Sequence, residues 1–207
     1  LAAQAVDYLL SSEPKHEFQI VTVTMADEQG AAHSTPGGAA ELISALQQRE
    51  IDLAVLPGEA VPPALPDGVS VAAVADRVTP HDVLVTRAGM ALADLPAGAA
   101  AGAADRARAV RVRALRRDLM PVVSRGELAA QLQTLKNGIC AALLLAAADL
   151  VRLNVREPSL TMRPVTELLP AAGQGMLVLL ARADDEENRS AAGRLDLMEF
   201  RLALAAE

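Results

Sequence analysis

Aromatic side chains are almost absent from these 207 residues: Tyr8, Phe18 and Phe200 are the whole set, and there is no tryptophan. A stacking platform for single-stranded RNA needs several exposed rings, so that class of function is excluded. The core must be built from Ala, Leu and Val. Cysteine is equally scarce. Cys140 stands alone, no intrachain disulfide can form, and the chain fits a reducing compartment, with the cytoplasm the expected location. Cys140 opens an apolar stretch and reads as an inert buried thiol. Long apolar runs are missing too. The longest, Ile139–Ala148, is too short to span a bilayer. The start, LAAQAVDYLLSSE, lacks the basic stretch of a signal peptide. No membrane partner is expected. His16, His33 and His81 are scattered with no second ligand at metal spacing, so no metal site is expected. No Gly-x-Ser-x-Gly elbow occurs.

What is present is a chain 52% hydrophobic and 22% charged, with net charge −7. That balance supports a well-cored domain or pair of domains and argues against a nucleic-acid partner. The run Arg106–Arg117 is a local basic exception. Helical spacing marks Leu1–Leu10, Ala39–Gln48, Asp105–Leu115, Glu127–Leu135, Ala147–Leu153 and a long final helix, Asp185–Leu204, with a short turn at Ala91–Leu95. Alternating or short apolar runs mark strands at Phe18–Thr24, Ile51–Val55, Val69–Ala75, Asp82–Thr86, Ala99–Gly102, Met120–Val123, Ala141–Ala146, Leu160–Arg163 and Leu177–Ala183. Gly and Pro place loops at Ala26–Gly38 and Pro57–Gly68. Strands alternating with helices predict parallel α/β sheets in two small lobes. Ligands in such sheets sit beyond the carboxyl ends of strands.

Residues Ile51–Val69, IDLAVLPGEAVPPALPDGV, resemble a segment of the hydroxymethylbilane synthase (porphobilinogen deaminase) family that runs I-D-I-A-V-H-S-L-K-D-V-P-T-x-L-P-x-G-L. Further ordered matches follow. Leu95–Gly98 with Gly102 and Arg108 resembles L-P-x-G-x-x-x-G-T-S-S-x-R-R. Ser124-Arg125-Gly126 resembles L-R-G-N-x-x-T-R, and Leu145–Leu153 resembles L-A-x-A-G-L-x-R-L. Pro170–Gly175 resembles P-A-P-G-Q-G, with Arg182, Asp184 and Asp185 keeping the frame beyond it. The likeness covers essentially the whole chain. It implies two lobes of the periplasmic-binding type (type II) with an interdomain cleft, and a chain that stops where the family's cofactor-bearing third domain would begin. The first lobe would be residues 1–75 and 171–207, the second 80–166, with hinges at 76–79 and 167–170.

The family joins porphobilinogen units with loss of ammonia, in tetrapyrrole (porphyrin and haem) biosynthesis, on a dipyrromethane cofactor held by a Cys of its third domain. The resemblance places the family's catalytic Asp at Ala60 and its neighbouring Lys at Glu59. Ala60 can neither stabilise a cationic pyrrole nor relay a proton. Glu59 reads as a substitute acid or a solvated loop residue. The family's Thr-Ser-Ser positions fall on Ala103, Ala104 and Asp105, and its Arg pair on Ala107 and Arg108. In the L-R-G-N-x-x-T-R run Glu127 takes the Asn, Ala130 the Thr and Gln131 the second Arg. Two family Lys positions fall on Thr35 and Ala40. Arg108, Arg125 and Gly126 remain as the candidate anion-binding set, because an Arg fork takes a carboxylate bidentately. The competing reading of Arg108 is a solvated helix face. Gly173-Gln174-Gly175 reads as a tight turn needing positive φ. The expectation is therefore a catalytically degenerate relative with no catalytic residue of its own and no dipyrromethane. Its partner would be a small acid such as a pyrrole carboxylate. A carboxylate-binding or regulatory module is the alternative, and the sequence leaves the oligomeric state open.

Overall fold

A computed structural model describes residues 1–12, 17–21, 23, 38–87, 90–124 and 126–207. The helices are α1 (Ala2–Ser12), α2 (Ala39–Gln47), α3 (Arg106–Leu115), α4 (Leu128–Lys136), α5 (Ala147–Arg152), α6 (Glu186–Gly193) and α7 (Met198–Ala206). The strands are β1 (Leu53–Pro57), β2 (Val69–Arg77), β3 (Asp82–Arg87), β4 (Ala100–Ala103), β5 (Met120–Val123), β6 (Ala142–Ala146), β7 (Leu160–Val165) and β8 (Met176–Arg182). Contacts divide the chain into two compact units, Leu1–Thr79 with Ala171–Glu207, and Pro80–Pro170.

The first unit is built on a three-stranded sheet in the order β1-β8-β2, with β8 antiparallel to both neighbours. Every residue of β8 is buried, because side chains alternate across a strand and both faces are covered. Met176, Val178 and Leu180 pack with Ile43 and Leu46 of α2, and Phe200 and Leu204 of α7 join that layer. Leu177, Leu179 and Ala181 pack on the other face with Ala5 and Leu9 of α1 and Ala192 of α6. Each fully buried leucine stabilises the unit by roughly 1.5–3 kcal/mol.

The second unit holds a five-stranded sheet, β5-β4-β6-β3-β7. β4 runs parallel to β5 and β6, while β3 is antiparallel to β6 and β7. β6 divides two layers in the same way. Leu143 and Leu145 face Leu132 and Leu135 of α4 and Leu150 of α5. Ala142 and Leu144 face Val112 of α3 with Leu95 and Leu119.

Three expectations are corrected. The sheets are not parallel throughout: the parallel pairs are β4 with β5 and β4 with β6, made by the β4–α3–β5 passage between neighbours and by β5–α4–β6, which crosses over to the other side of β4. β8 enters between β1 and β2 from a distant part of the chain and runs against both. The final helix is two helices, broken at 194–197. Val74 donates its N–H to Asp196 Oδ1 at 2.8 Å, and its carbonyl accepts from Leu197 N at 3.0 Å. The edge of β2 thus takes hydrogen bonds that an unbroken helix would keep for itself. The described part of the expected Phe18–Thr24 strand, residues 18–21 and 23, is in no strand. The expected loop at Ala26–Gly38 lies outside the described residues except for Gly38.

Candidate functional site

β1 delivers the segment with the altered centre. It ends at Pro57, and a single 3-10 turn, Gly58–Ala60, follows. Gly58 is buried against the turn that leads into β8. A Cβ on Gly58 would lie 2.4 Å from the carbonyl oxygen of Gly173, and one on Gly173 would lie 2.6 Å from the carbonyl carbon of Gly58. Two backbones touch there, which only glycine permits. Gly173 (φ 67°) and Gly175 (φ 82°) occupy the left-handed region. Between them Gln174 is completely buried, its Oε1 accepting from Ala171 N at 3.0 Å. Glu59 and Ala60 are half-buried in this 3-10 turn. Position 60 offers a methyl group and no proton-transferring atom.

In the second unit the carboxyl ends of β4 and β5 lie side by side: Ala103 pairs with Val123, and Ser124 N donates to Ala103 O at 2.8 Å. The residues following these strands start α3 and α4. Asp105 caps α3, its Oδ1 accepting from Arg108 N at 2.7 Å. Arg108 is buried. Its Nε donates to Asp82 Oδ1 at 2.9 Å and its Nη1 to Asp105 Oδ2 at 2.5 Å. Arg111 completes the group, donating from Nη1 to Asp82 Oδ2 at 2.8 Å. Arg108 is therefore not on a solvated helix face. Arg106 and Arg113 of the same helix are exposed. Helical periodicity separates the two sets, since positions 108, 112 and 115 turn toward the sheet and 106, 110 and 113 turn away.

Gly126 stands at the entrance to α4 with φ +100°, and a Cβ there would meet nothing within 4 Å. Its carbonyl accepts from Gln131 Nε2 at 2.8 Å. Glu127, the N-cap of α4, makes no side-chain capping bond. Arg125 lies outside the described residues, as does Thr35. Of the expected anion-binding set, Arg108 and Gly126 thus belong to adjacent strand ends. Asp82 is the participant that sequence reasoning missed, while Gln131, placed there at the family's second Arg, is found bonded to the Gly126 carbonyl. Asp82 is the first residue of β3 and one of the few acids inside an apolar run, which was the available signal. Among the described residues no group of three or more His, Cys, Asp or Glu could hold a metal ion.

Comparisons with known proteins place this geometry in a family. Residues 2–190 match the model of the porphobilinogen deaminase, dipyromethane cofactor binding domain. A porphobilinogen deaminase of Desulforudis audaxviator is 41% identical over 167 residues, covering 81% of this chain and 54% of its own. One from Brevibacillus brevis is 33% identical over 208 residues, covering 98% of this chain and 67% of its own. The chain spans about half to two thirds of the length of these curated relatives. Among solved structures, a Salmonella typhimurium periplasmic binding protein described as having high arginine specificity superimposes with a TM-score of 0.58 at 17% identity, covering 98% of this chain and 85% of that one. That likeness shows the fold, two lobes of the periplasmic-binding type. With 189 of its 207 residues inside the family model, the chain belongs to the porphobilinogen deaminase family.

Proposed function

We propose that this chain is a cytoplasmic, hydroxymethylbilane synthase-like protein of tetrapyrrole biosynthesis that does not itself polymerise porphobilinogen. The observation that carries this reading is Ala60. Release of ammonia breaks a carbon–nitrogen bond and leaves a cationic pyrrole, which a nearby carboxylate stabilises before the next ring adds. The Gly58–Ala60 turn supplies a methyl group where that carboxylate is needed. Glu59 sits one position away on the same turn, half-buried.

The cofactor implied by the family does not fit the described residues. A dipyrromethane carries acetate and propionate groups and calls for cations with open donors. Arg108 gives Nε and Nη1 to Asp82 and Asp105 instead. Cys140 is buried, 3.5 Å from Thr134 Oγ1.

What remains is the turn at Gly126, where the start of α4 offers backbone N–H groups to a small acid such as a pyrrole carboxylate, with Arg125 and Arg108 as neighbouring cations in the sequence frame. Glu127 and Asp105 place negative charge on the same turns. At an effective dielectric of ~20, an acid about 4 Å from a bound carboxylate costs roughly 4 kcal/mol before screening. Attraction and repulsion nearly cancel. Calorimetric titration of the purified chain with porphobilinogen is expected to give millimolar or weaker binding. Micromolar binding would overturn the reading.

A further inference from the structure

We infer that Asp149 is the residue that bars small anions from the carboxyl end of β6, where it cancels the surplus positive charge of the arginines gathered there. The inference rests on the reading that this chain holds acids only weakly, and it names the side chain responsible. Ala146, the last residue of β6, pairs with Asp82 of β3, and Ala147 N donates to His81 O at 3.1 Å. That pairing sets the start of α5 beside the group formed by Asp82, Arg108 and Arg111. Asp149 lies in the first turn of α5 and is exposed. The family run L-A-x-A-G-L-x-R-L, which Leu145–Leu153 resembles, has Gly at this position. This chain has placed a carboxylate where that run has no side chain.

The charges at this end of the sheet can be counted. Arg108 and Arg111 both pair with Asp82, and Arg108 also pairs with Asp105. Arg152 ends α5, three residues beyond Asp149. Without Asp149, three arginines stand against two aspartates, and one positive charge is free to attract an acid. With Asp149 the count is three against three. No described residue donates a hydrogen bond to the Asp149 carboxylate. Asp149 touches solvent, yet the protein around it still desolvates the group and raises its carboxyl, against the pull of Arg108 and then Arg152. Its charge is thus not spent in a close ion pair, and it meets the same water from which a ligand carboxylate arrives. An acid in the first turn also favours a helix start. That role alone does not account for Asp149, because α5 has only six residues and its N-cap has no side-chain hydrogen bond.

The test is calorimetric titration of the wild-type chain, Asp149→Asn and Asp149→Gly with succinate and with succinamide, its neutral analogue, at low ionic strength. Asp149→Asn keeps the shape and removes the charge, Asp149→Gly restores the family residue, and thermal melts report that both are folded. Both variants are expected to bind succinate about tenfold more tightly than the wild type, the scale of one uncompensated charge several ångströms away. Neither should bind succinamide more tightly. The gain should shrink as salt rises to about 0.1 M, where the Debye length is about 10 Å. Glu157→Gln supplies the control. It removes the same charge at the opposite end of the sheet, beyond Leu160, which pairs with Arg87 where Val165 pairs with Asp82. It should leave succinate binding unchanged. Unchanged succinate affinity in Asp149→Asn, an equal gain in Glu157→Gln, or an equal gain for succinamide would each overturn the inference. Turnover of porphobilinogen by the wild type would instead overturn the proposed function, so the two failures are distinguishable.

Discussion

Arg108 and Asp82 form an ion pair sealed inside the second unit, with side chains only 5% and 2% exposed and Nε donating to Oδ1 at 2.9 Å. Arg111 reaches the other carboxylate oxygen and Asp105 reaches the other side of the Arg108 guanidinium. A buried charge is tolerable only when it is paired and hydrogen-bonded, and here two cations and two anions satisfy one another. Arg108 thereby joins β3 to α3, and its structural task competes with any role toward an external anion.

Arg108→Ala is expected to destabilise the second unit by about 3–5 kcal/mol, because the partner carboxylates lose a buried counter-charge. Arg106→Ala, on the exposed side of the same helix, should stay within about 0.5 kcal/mol. Denaturant melts of the two variants beside the wild type provide the check. Equal effects would show that the Arg108–Asp82 pair carries no structural weight.

Gly58→Leu restores the residue found in the family frame and is expected to be harmful here. A Cβ at that position already meets Gly173 O at 2.4 Å and Met176 Cβ at 2.8 Å, so backbone must move. Overpacking of this kind costs typically 1–3 kcal/mol. Gly68→Ala, at φ +80° but in open space, separates backbone strain from collision. A Gly58→Leu protein with an unchanged melting temperature would contradict the close approach of the two turns.

Asp196→Ala should weaken the first unit by about 1–3 kcal/mol, since the Val74 N–H on the edge of β2 loses its acceptor. Arg201 loses the same partner at 2.7 Å, although it still donates to the carbonyl oxygens of Val71 and Ala72. Hydrogen exchange at Val74 is the direct observable, and protection should fall in the variant while Val178 in the sheet centre keeps its own.

Acid should loosen the first unit through Asp185. Burial alone would raise its carboxyl, but the Asn188 backbone and side chain and the Arg182 guanidinium hold it below the ordinary carboxylate range. The folded state therefore binds fewer protons than the unfolded chain between these two ranges. Its contribution is present above the ordinary carboxylate range and is lost as pH falls through the depressed folded value. Asp185→Asn should flatten this acid limb of the stability curve, read from melts over a series of pH values.

The elements were legible where local pattern and tertiary packing agree. The all-apolar stretches at Leu143–Leu145 and Leu177–Leu180 became the buried centres of the two sheets because both faces of each strand are covered. Strand direction was not legible, because β8 pairs with strands about a hundred residues earlier and no local signal records its direction. The break before Met198 had a signal in Gly193 and Asp196, outweighed by the helical spacing around them. Its cause, the Val74 edge, is likewise remote in sequence. At the site, the family frame located the turns at Gly58 and Gly126, while the burial of Arg108 depended on Asp82, 26 residues away. A sequence shows that an arginine exists and not which carboxylate holds it.

The most direct measurement is a product assay on the purified chain: incubation with porphobilinogen, detection of hydroxymethylbilane and released ammonia, and the intact mass of the protein before and after. With Ala60 in place of a carboxylate, the account predicts no product above a protein-free blank and no mass increase on the chain. Hydroxymethylbilane formed above that blank, or a dipyrromethane adduct on Cys140, would contradict it.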